Sequence, residues 1–395
     1  MSVGTHRSTS ALLTRFMTIA LSLAALLAPG VARAQRGQEI PPVSASDLTR
    51  MMAMLAMDPQ QQLAATTIFD GYMAAFLPKA RAVQELREAS QRAHNIKSPD
   101  AKALGREHIQ AWSELVIIRA DAEKALLADI KALLTPDQLA DKWPPVERLR
   151  RRESLSNANA ATAARWYRVD LCKIISAAKL SDPDLATIRP IMDEYELEID
   201  RPLAERVAMW DQEMHWPQDR REREDDALTR RDLDIGARIV SINRKYAKWV
   251  LSQLPPAAAE PIQQEIWRAA YPPVYGTPRP AQTTLDAIHA LTDTSALTPD
   301  QTDRLAPIIA AYQRESLELE KRGREVHDTG DEEVERWALL PREQRDKVAK
   351  AGIDPFNGVY EQVAIDRRSL EEKTLQEVRA VLTAEQRERL DESKR

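Results

Sequence analysis

Four methionines near the start of the chain are the side chains best suited to binding a soft metal. Met51, Met52, Met54 and Met57 lie within one short stretch, and thioether sulfur is a ligand that selects Cu(I). Two later stretches of the chain repeat the surrounding pattern with isoleucine or leucine at the positions of Met51 and Met57. The pattern therefore favours core packing by an adaptable side chain, and we predict no bound metal or other cofactor.

The histidines form no recognisable metal-binding motif. His94 and His108 could approach each other across a turn, with Glu107 beside the second, but no two histidines have the i, i+4 spacing of a helical zinc site. A surface or capping role is expected for both. Clustered carboxylates are expected on solvated faces in a chain that is 30% charged. They are Asp193-Glu194, Glu318 with Glu320, and Asp331-Glu332-Glu333.

Composition excludes several classes of function. The 395 residues include only 11 Gly, and they contain no nucleophile elbow, phosphate-binding glycine loop or dinucleotide fingerprint. The single Cys172 excludes a disulfide framework and cysteine-built metal sites, and it is expected to be a half-buried, inert thiol. The 56 basic residues are balanced by 61 acidic ones, which is not typical of nucleic-acid binders. We expect neither enzymatic activity nor a nucleic-acid partner.

Two arginine-rich runs are the strongest local concentrations of charge. They comprise Arg148, Arg150, Arg151 and Arg152, and then Arg220, Arg221 and Arg223. Acids follow both runs closely, which predicts solvated helix faces with partners at i, i+4. Docking to acidic partners or cell-wall polymers is the alternative.

Eight tryptophans accompany only four phenylalanines. Four of the tryptophans lie near predicted helix ends, and they are expected to anchor helix crossings. Exposed contacts with a partner are the alternative. These residues are Trp210, Trp216, Trp249 and Trp267.

Residues 1–34 have the features of a secretory signal peptide. Basic residues precede the apolar run Met17–Leu27, which is too short to span a bilayer, and Ala32-Arg33-Ala34 offers a cleavage pattern. We expect cleavage after Ala34, a flexible linker over 35–44, and a periplasmic or secreted protein without a transmembrane segment. Cleavage would remove three arginines and no acid, so 53 basic residues would face 61 acidic ones, a net charge of −8.

Three stretches of the chain repeat one pattern, which predicts tandem helical units over 45–160, 161–279 and 280–395. An apolar opening residue is followed 15 residues later by a tyrosine, as in Met57 with Tyr72, Leu180 with Tyr195, and Leu297 with Tyr312. In the third unit, Leu305, Ile308, Ile309 and Tyr312 lie on one helical face. Leu319 and Val326 extend that face at intervals of seven, as in a coiled coil.

Each unit is predicted to contain a short leading helix, two long helices joined by a turn, and a terminal helix. The leading helices are expected over 47–56, 161–178 and 283–291, and the turns near Asn95–Asp100 and His215–Asp219. Pro78 and Pro202 are expected to kink or break their helices. The third unit is expected to carry an insertion over about 328–358. The fold class is therefore all-α, with three elongated tandem repeats.

A five-residue pattern marks several helix starts. It is Leu134-Thr135-Pro136-Asp137-Gln138, Leu297-Thr298-Pro299-Asp300-Gln301 and Leu382-Thr383-Ala384-Glu385-Gln386. Thr caps the helix, Pro has no amide to leave unpaired, and Gln reaches back to the cap. Looser versions begin at Met57 and Leu340, whereas Leu254-Pro255-Pro256-Ala257-Ala258 lacks both Thr and Gln.

The Leu-Thr-x-x-Gln pattern, together with the exported helical layout, resembles the Spy/CpxP family of periplasmic stress proteins. The resemblance implies an all-helical cradle that holds unfolded polypeptide or senses envelope damage. It predicts a non-enzymatic protein that binds polypeptide or another envelope component, and a homo-oligomer is possible. A structural or scaffolding envelope protein is the first alternative, and a metal-responsive periplasmic sensor is the second.

Overall fold

The computed structural model describes residues 42–157, 165–275, 281–286, 297–338 and 357–392, together with the single positions 340, 344 and 347. Within these residues every regular element is helical and none is a strand. The predicted all-α class is confirmed. No helix of this part of the chain is both long and apolar enough to cross a bilayer.

Twelve α-helices make up the described structure. They are α1 Ala45–Met54, α2 Pro59–Asn95, α3 Ala101–Ala132, α4 Trp143–Glu153, α5 Leu171–Ala177, α6 Asp182–Met214, α7 Gln218–Gln253, α8 Pro256–Ala270, α9 Pro272–Tyr275, α10 Pro299–Ala338, α11 Asn357–Val381 and α12 Ala384–Glu392. Short π- and 3-10 helices lie at Gln138–Lys142, Ser154–Asn157 and Arg165–Arg168. Residues 281–286 are also helical.

Three pairs of long helices dominate the fold, and each pair packs along its length. Hairpin 1 is α2 with α3, hairpin 2 is α6 with α7, and hairpin 3 is α10 with α11. Hairpin 1 turns at residues 96–100 and hairpin 2 turns at 215–217, within or beside the predicted turns. That the three units descend from one ancestral unit stays a prediction.

Each hairpin is held together by the apolar face that the sequence periodicity predicts. In hairpin 3, Leu305 and Tyr312 are buried against Leu370 and Val378. In hairpin 1, Met51 and Met57 lie in the hydrophobic core, with Met52 and Met54 packed at its margin. The core role predicted for Met51 and Met57 is confirmed.

The leading helix predicted over 161–178 is wrong in its extent. Residues 158–164 lie outside the described residues, and Arg165–Arg168 is a 3-10 helix that stops before α5 begins at Leu171. The side chain of Asp170 accepts the Lys173 N–H at 3.2 Å, and Asp170 itself has an extended conformation. An N-cap residue cannot also continue a preceding helix, so the segment divides here.

Of the kink or break predicted at Pro78 and Pro202, the break does not occur, whereas a kink stays a prediction. Both prolines lie inside uninterrupted helices, α2 and α6. Each proline removes one backbone donor, but helices of 37 and 33 residues retain the remaining hydrogen bonds and the packing against their partner helices. A single missing bond is too small a loss to end such a helix.

Only part of the insertion predicted over about 328–358 lies within the described residues. Residues 328–338 continue α10, and α11 begins at Asn357. The helix accommodates Gly330, whose cost of about 1 kcal/mol is small in a 40-residue helix. Most of the remaining insertion lies outside the described residues. The predicted signal peptide, the cleavage position at Ala34 and residues 35–41 of the linker lie outside them as well.

Candidate functional site

The predicted capping boxes form at the base of hairpins 1 and 3. The Thr135 hydroxyl accepts the Gln138 backbone N–H at 3.3 Å, and the side-chain Oε1 of Gln138 accepts the Thr135 backbone N–H at 2.9 Å. The same reciprocal pair joins Thr298 with Gln301 and Thr383 with Gln386. These boxes satisfy free amides at three helix starts.

The capping glutamines also bind one another in pairs, which the sequence analysis missed. The Gln61 Nε2 donates to the Gln138 Oε1 at 2.8 Å, and the Gln138 Nε2 donates to the Gln61 Oε1 at 3.0 Å. Gln301 and Gln386 exchange the same two bonds at 2.8 and 3.2 Å. Each glutamine pair fastens the start of a hairpin to the helix that follows it.

Hairpin 2 has no glutamine pair. Its first helix is capped by the Ser181 hydroxyl, which accepts the Asp184 N–H at 3.3 Å. Asp184 stands where hairpins 1 and 3 have the first glutamine, and Ala258 stands where they have the second. Both partners are therefore absent from the same hairpin.

A buried tyrosine on the first helix of hairpins 2 and 3 contacts a polar residue on the second. The Tyr195 hydroxyl donates to the Asn243 Oδ1 at 2.9 Å, and the Tyr312 hydroxyl donates to the Glu371 Oε1 at 2.8 Å. A leucine follows the second long helix of each hairpin, and we call it the closing leucine. Asn243 lies eleven residues before the closing leucine Leu254, and Glu371 lies eleven residues before the closing leucine Leu382. The two contacts therefore occupy the same register.

Hairpin 1 places Tyr72 in a related environment. Tyr72 is buried between Phe69 and Phe76, with ring centroids 5.9 Å away on each side. Burial, and secondarily the nearby charge of Glu123, raises the pKa of Tyr72 to about 12. Glu123 lies eleven residues before Leu134, again the same register.

The arginine run on α4 is buried, so the predicted solvated face is wrong there. Arg150 and Arg152 are only 4% and 6% exposed. Arg150 forms ion pairs with Glu123 and Glu153, and Arg152 forms one with Glu196. Burial of arginine requires such partners, and Glu123 and Glu196 come from distant helices.

Arg151 joins α4 to hairpin 2 with the best-defined ion pair of this junction. Its Nε and an Nη atom donate to the two carboxylate oxygens of Asp200 at 2.6 and 2.9 Å. Arg148 lies 3.6 Å from Glu196 on the same helix, α6. The run therefore fixes hairpin 1 to hairpin 2 rather than facing an external partner.

The second arginine run partly matches the prediction. Arg220 and Arg223 are exposed, and the Arg220 guanidinium lies 4.1 Å from the centre of the Trp216 ring. The side chain of Arg221 lies outside the described residues.

Of the other tryptophans, Trp210 is buried, and Trp267 packs against Tyr275 with ring centroids 6.0 Å apart, as expected of anchors. Trp249 is partly exposed and stacks on Tyr246.

Successive hairpins share one charged contact in the same register. Lys124 lies 3.6 Å from Asp211, and Arg244 lies 2.9 Å from Asp328. Lys124 and Arg244 each lie ten residues before the leucine that follows their helix, Leu134 or Leu254. Asp211 and Asp328 each lie sixteen residues after the buried tyrosine of their hairpin, Tyr195 or Tyr312. The contacts join hairpin 1 to hairpin 2 and hairpin 2 to hairpin 3.

The histidines, cysteine and carboxylates form no metal centre in the described structure. His94 is exposed, and burial, together with Arg87, lowers the pKa of the half-buried His108. Burial raises the pKa of Cys172 to about 12, consistent with an unreactive thiol. No three His, Cys, Asp or Glu side chains in these residues converge as metal ligands. The side chains of Asp331, Glu332 and Glu333 are not described.

A groove of about 720 Å³ runs between α10 and α11 of hairpin 3. Leu317, Leu319 and Leu370 contribute its apolar surface, and Leu317 is 56% exposed. Its other lining residues are Arg314, Glu315, Glu318, Asp366, Ser369 and Lys373. An apolar surface framed by charges of both signs is suited to binding a polypeptide segment.

Comparison of the chain with protein-family models, with curated proteins and with solved structures returns no match. The resemblance to Spy/CpxP proteins therefore stays a prediction from the motif and the layout.

Proposed function

We propose that this chain is an exported, non-enzymatic helical protein that binds polypeptide or another envelope component, with a chaperone-like or stress-sensing role. The observation that carries the proposal is the groove of hairpin 3, where Leu317 remains exposed beside Leu319 and Leu370. Exposed apolar surface framed by polar residues is a common feature of protein-binding sites. The signal-peptide pattern and the capping motif support the same proposal from the sequence.

Suppression of aggregation tests the proposal. The mature protein, at equimolar concentration, should reduce light scattering from an unfolded client. Leu317→Asp should weaken the effect because it places a charge in the apolar groove. Leu63→Asp is a matched control, since Leu63 is an exposed leucine on the first helix of a different hairpin.

Two outcomes would contradict the proposal. One is the absence of suppression by the unaltered protein at several-fold molar excess. The other is equal loss of suppression in the Leu317 and Leu63 variants, because the groove would then have no special role.

A scaffolding function is the second candidate, and the charged contacts between hairpins favour it. Lys124–Asp211 and Arg244–Asp328 connect successive hairpins in one register, an arrangement suited to maintaining a fixed spacing along the chain. Sedimentation velocity distinguishes the two candidates when combined with the aggregation assay. A rod-like oligomer without affinity for clients would favour scaffolding.

A further inference from the structure

In hairpin 2, a short helix packs against the position of the first helix that corresponds to Leu317 in the groove of hairpin 3. Leu317 follows Tyr312 by five residues, and Asp200 follows Tyr195 by the same five. In hairpin 2 this level of the first helix is contacted by the 11-residue helix α4, through the two hydrogen bonds from Arg151 to Asp200. The fold itself therefore seats a short helix against this part of a hairpin.

In hairpin 3, α9 and the adjacent Tyr271 contact α10 further along the chain than Leu317. A Cβ at Gly323 would lie 3.2 Å from Val274, and Tyr271 donates to Asp328 at 3.0 Å. Gly323 is six residues beyond Leu317, or about 9 Å along the helix axis. The contacts of α9 therefore begin more than one helical turn beyond Leu317, which is exposed.

The backbone of the groove favours a helical occupant. Both walls are α-helices, so the groove offers no free row of backbone donors and acceptors. An extended peptide pressed against its leucines would leave its own amides unpaired, whereas a helix satisfies them internally. The lining residues 366–373 span about 11 Å, which matches two helical turns.

The charges at the rim define the flanks of the occupant. Glu315 is 3.7 Å from Lys373, and Asp366 is paired with Arg322. Arg314 and Glu318 lie one turn apart on α10, and neither has an ion-pair partner within 4 Å among the residues that the structure describes. They can bind an acidic and a basic side chain separated by a similar distance.

We infer that the groove of hairpin 3 binds a short amphipathic helix of a partner protein, with apolar residues at i and i+3 or i+4 facing the three leucines. An acidic and a basic residue one turn apart on that helix lie opposite Arg314 and Glu318. This inference rests on the proposed function, and it specifies the conformation in which the polypeptide is bound.

Three labelled peptides of equal length, the first two of identical composition, provide the test with the full mature chain. Each is about 14 residues long, so that it is largely unfolded when free. The first has leucines at i, i+3, i+4 and i+7 with Glu and Lys on its flanks, the second has leucines at alternate positions, and the third repeats the first with its central residue exchanged for proline. Only the first should bind by fluorescence anisotropy, and its circular dichroism should gain helix on binding.

Variants of the protein locate the site. Leu317→Asp should weaken binding of the first peptide about tenfold, whereas Leu63→Asp should leave it unchanged. Arg314→Glu should also weaken binding of the first peptide. A peptide with Lys in place of the Glu that faces position 314 should restore binding to this variant.

Equal binding of all three peptides, or binding without a gain of helix, would overturn the inference and leave the proposed function standing. Failure of the first peptide to bind would also overturn it, even if the protein suppresses aggregation. If the protein also fails to suppress aggregation, both the inference and the proposed function are overturned. Insensitivity to Leu317→Asp would show that the groove is not the site.

Discussion

The Tyr312 hydroxyl donates a 2.8 Å hydrogen bond to Glu371 across the interior of hairpin 3. The other Glu371 carboxylate oxygen accepts the backbone N–H of Ala281 at 2.6 Å. Glu371 therefore joins both long helices to the segment 281–286. A buried carboxylate is stable only while such donors satisfy it.

Removal of this carboxylate should destabilise hairpin 3. We expect Glu371→Ala to lower the free energy of unfolding by about 2–3 kcal/mol, and Tyr312→Phe to lower it by about 1 kcal/mol. Urea unfolding measures both changes. Glu377→Ala, on the exposed face of the same helix, is the control and should have little effect. Equal losses in all three variants would contradict a special role for Glu371.

The glutamine pair of hairpin 1 should contribute cooperatively to stability. Gln61→Ala and Gln138→Ala should each cost about 1–2 kcal/mol, because each removes a capping bond and leaves an amide of the partner unpaired. The double variant should cost less than the sum of the two, and urea unfolding of all four proteins gives the coupling energy. Gln60→Ala, at an exposed neighbouring position, serves as the control. Strict additivity would show that the two side chains act independently.

The ion pair between Arg151 and Asp200 should stabilise the junction between hairpins 1 and 2. Both side chains are about four-fifths buried, so we expect Asp200→Asn to cost about 1–3 kcal/mol. The exposed pair Arg92–Glu88 is the comparison, and Glu88→Gln should change stability by less than about 0.5 kcal/mol. Similar values for both acids would mean that burial gives the junction pair no advantage. Hydrogen exchange in α4 should accelerate only in the Asp200 variant.

Contact between the turn of hairpin 2 and α3 should depend on pH through His215. A hydrogen bond to the Asp211 carbonyl, and then the contact with Asp121 at 3.3 Å, raises the pKa of His215 above its ordinary value. The protonated ring can donate to both acceptors. Its stabilising effect is therefore complete below the unfolded pKa of about 6.5, and it is lost as pH rises through the raised value.

Titration by NMR provides the measurement for His215. Its pKa should exceed the ordinary histidine value of about 6.5, and Asp121→Asn should lower it because the variant loses the contact with a carboxylate. Because the Asp211 carbonyl remains, the variant should not return the pKa fully to its ordinary value. An unchanged His215 pKa in the variant would show that Asp121 makes no contribution.

The Cys172 thiol should resist alkylation in the folded protein. With its pKa raised to about 12 by burial, its thiolate fraction at pH 8 is at least about a hundredfold below that of an unfolded cysteine. Iodoacetamide labelling followed by mass spectrometry should be slow in buffer and fast in urea. A Ser252→Cys protein lacking Cys172 supplies an exposed control thiol. Equal rates for the two cysteines in buffer would contradict the buried environment.

Features that depend on neighbouring residues were predictable from the sequence. The capping boxes join residues only three apart, such as Thr135 with Gln138, so composition and spacing define them. The core positions of Met51 and Tyr312 follow from helical periodicity in the same way. The proposed binding surface could not be located by these means.

Features that depend on distant partners were not predictable. Arg151 is 49 residues from Asp200, and Arg150 is 27 residues from Glu123. Nothing in the local sequence distinguishes such arginines from those of a solvated face. The groove beside Leu317 likewise depends on where α9 contacts α10, which is a matter of tertiary packing and not of helix propensity.

The paired glutamines imply a constraint on how this sequence can change over generations. Gln301 and Gln386 are 85 residues apart. If one of them were replaced, the side-chain amide of the other would lose the two hydrogen bonds that the pair exchanges. In hairpin 2, Asp184 and Ala258 occupy the two positions, so both amides are absent together. Substitutions at the two positions are therefore expected to be inherited together, so that a lineage keeps both amides or neither.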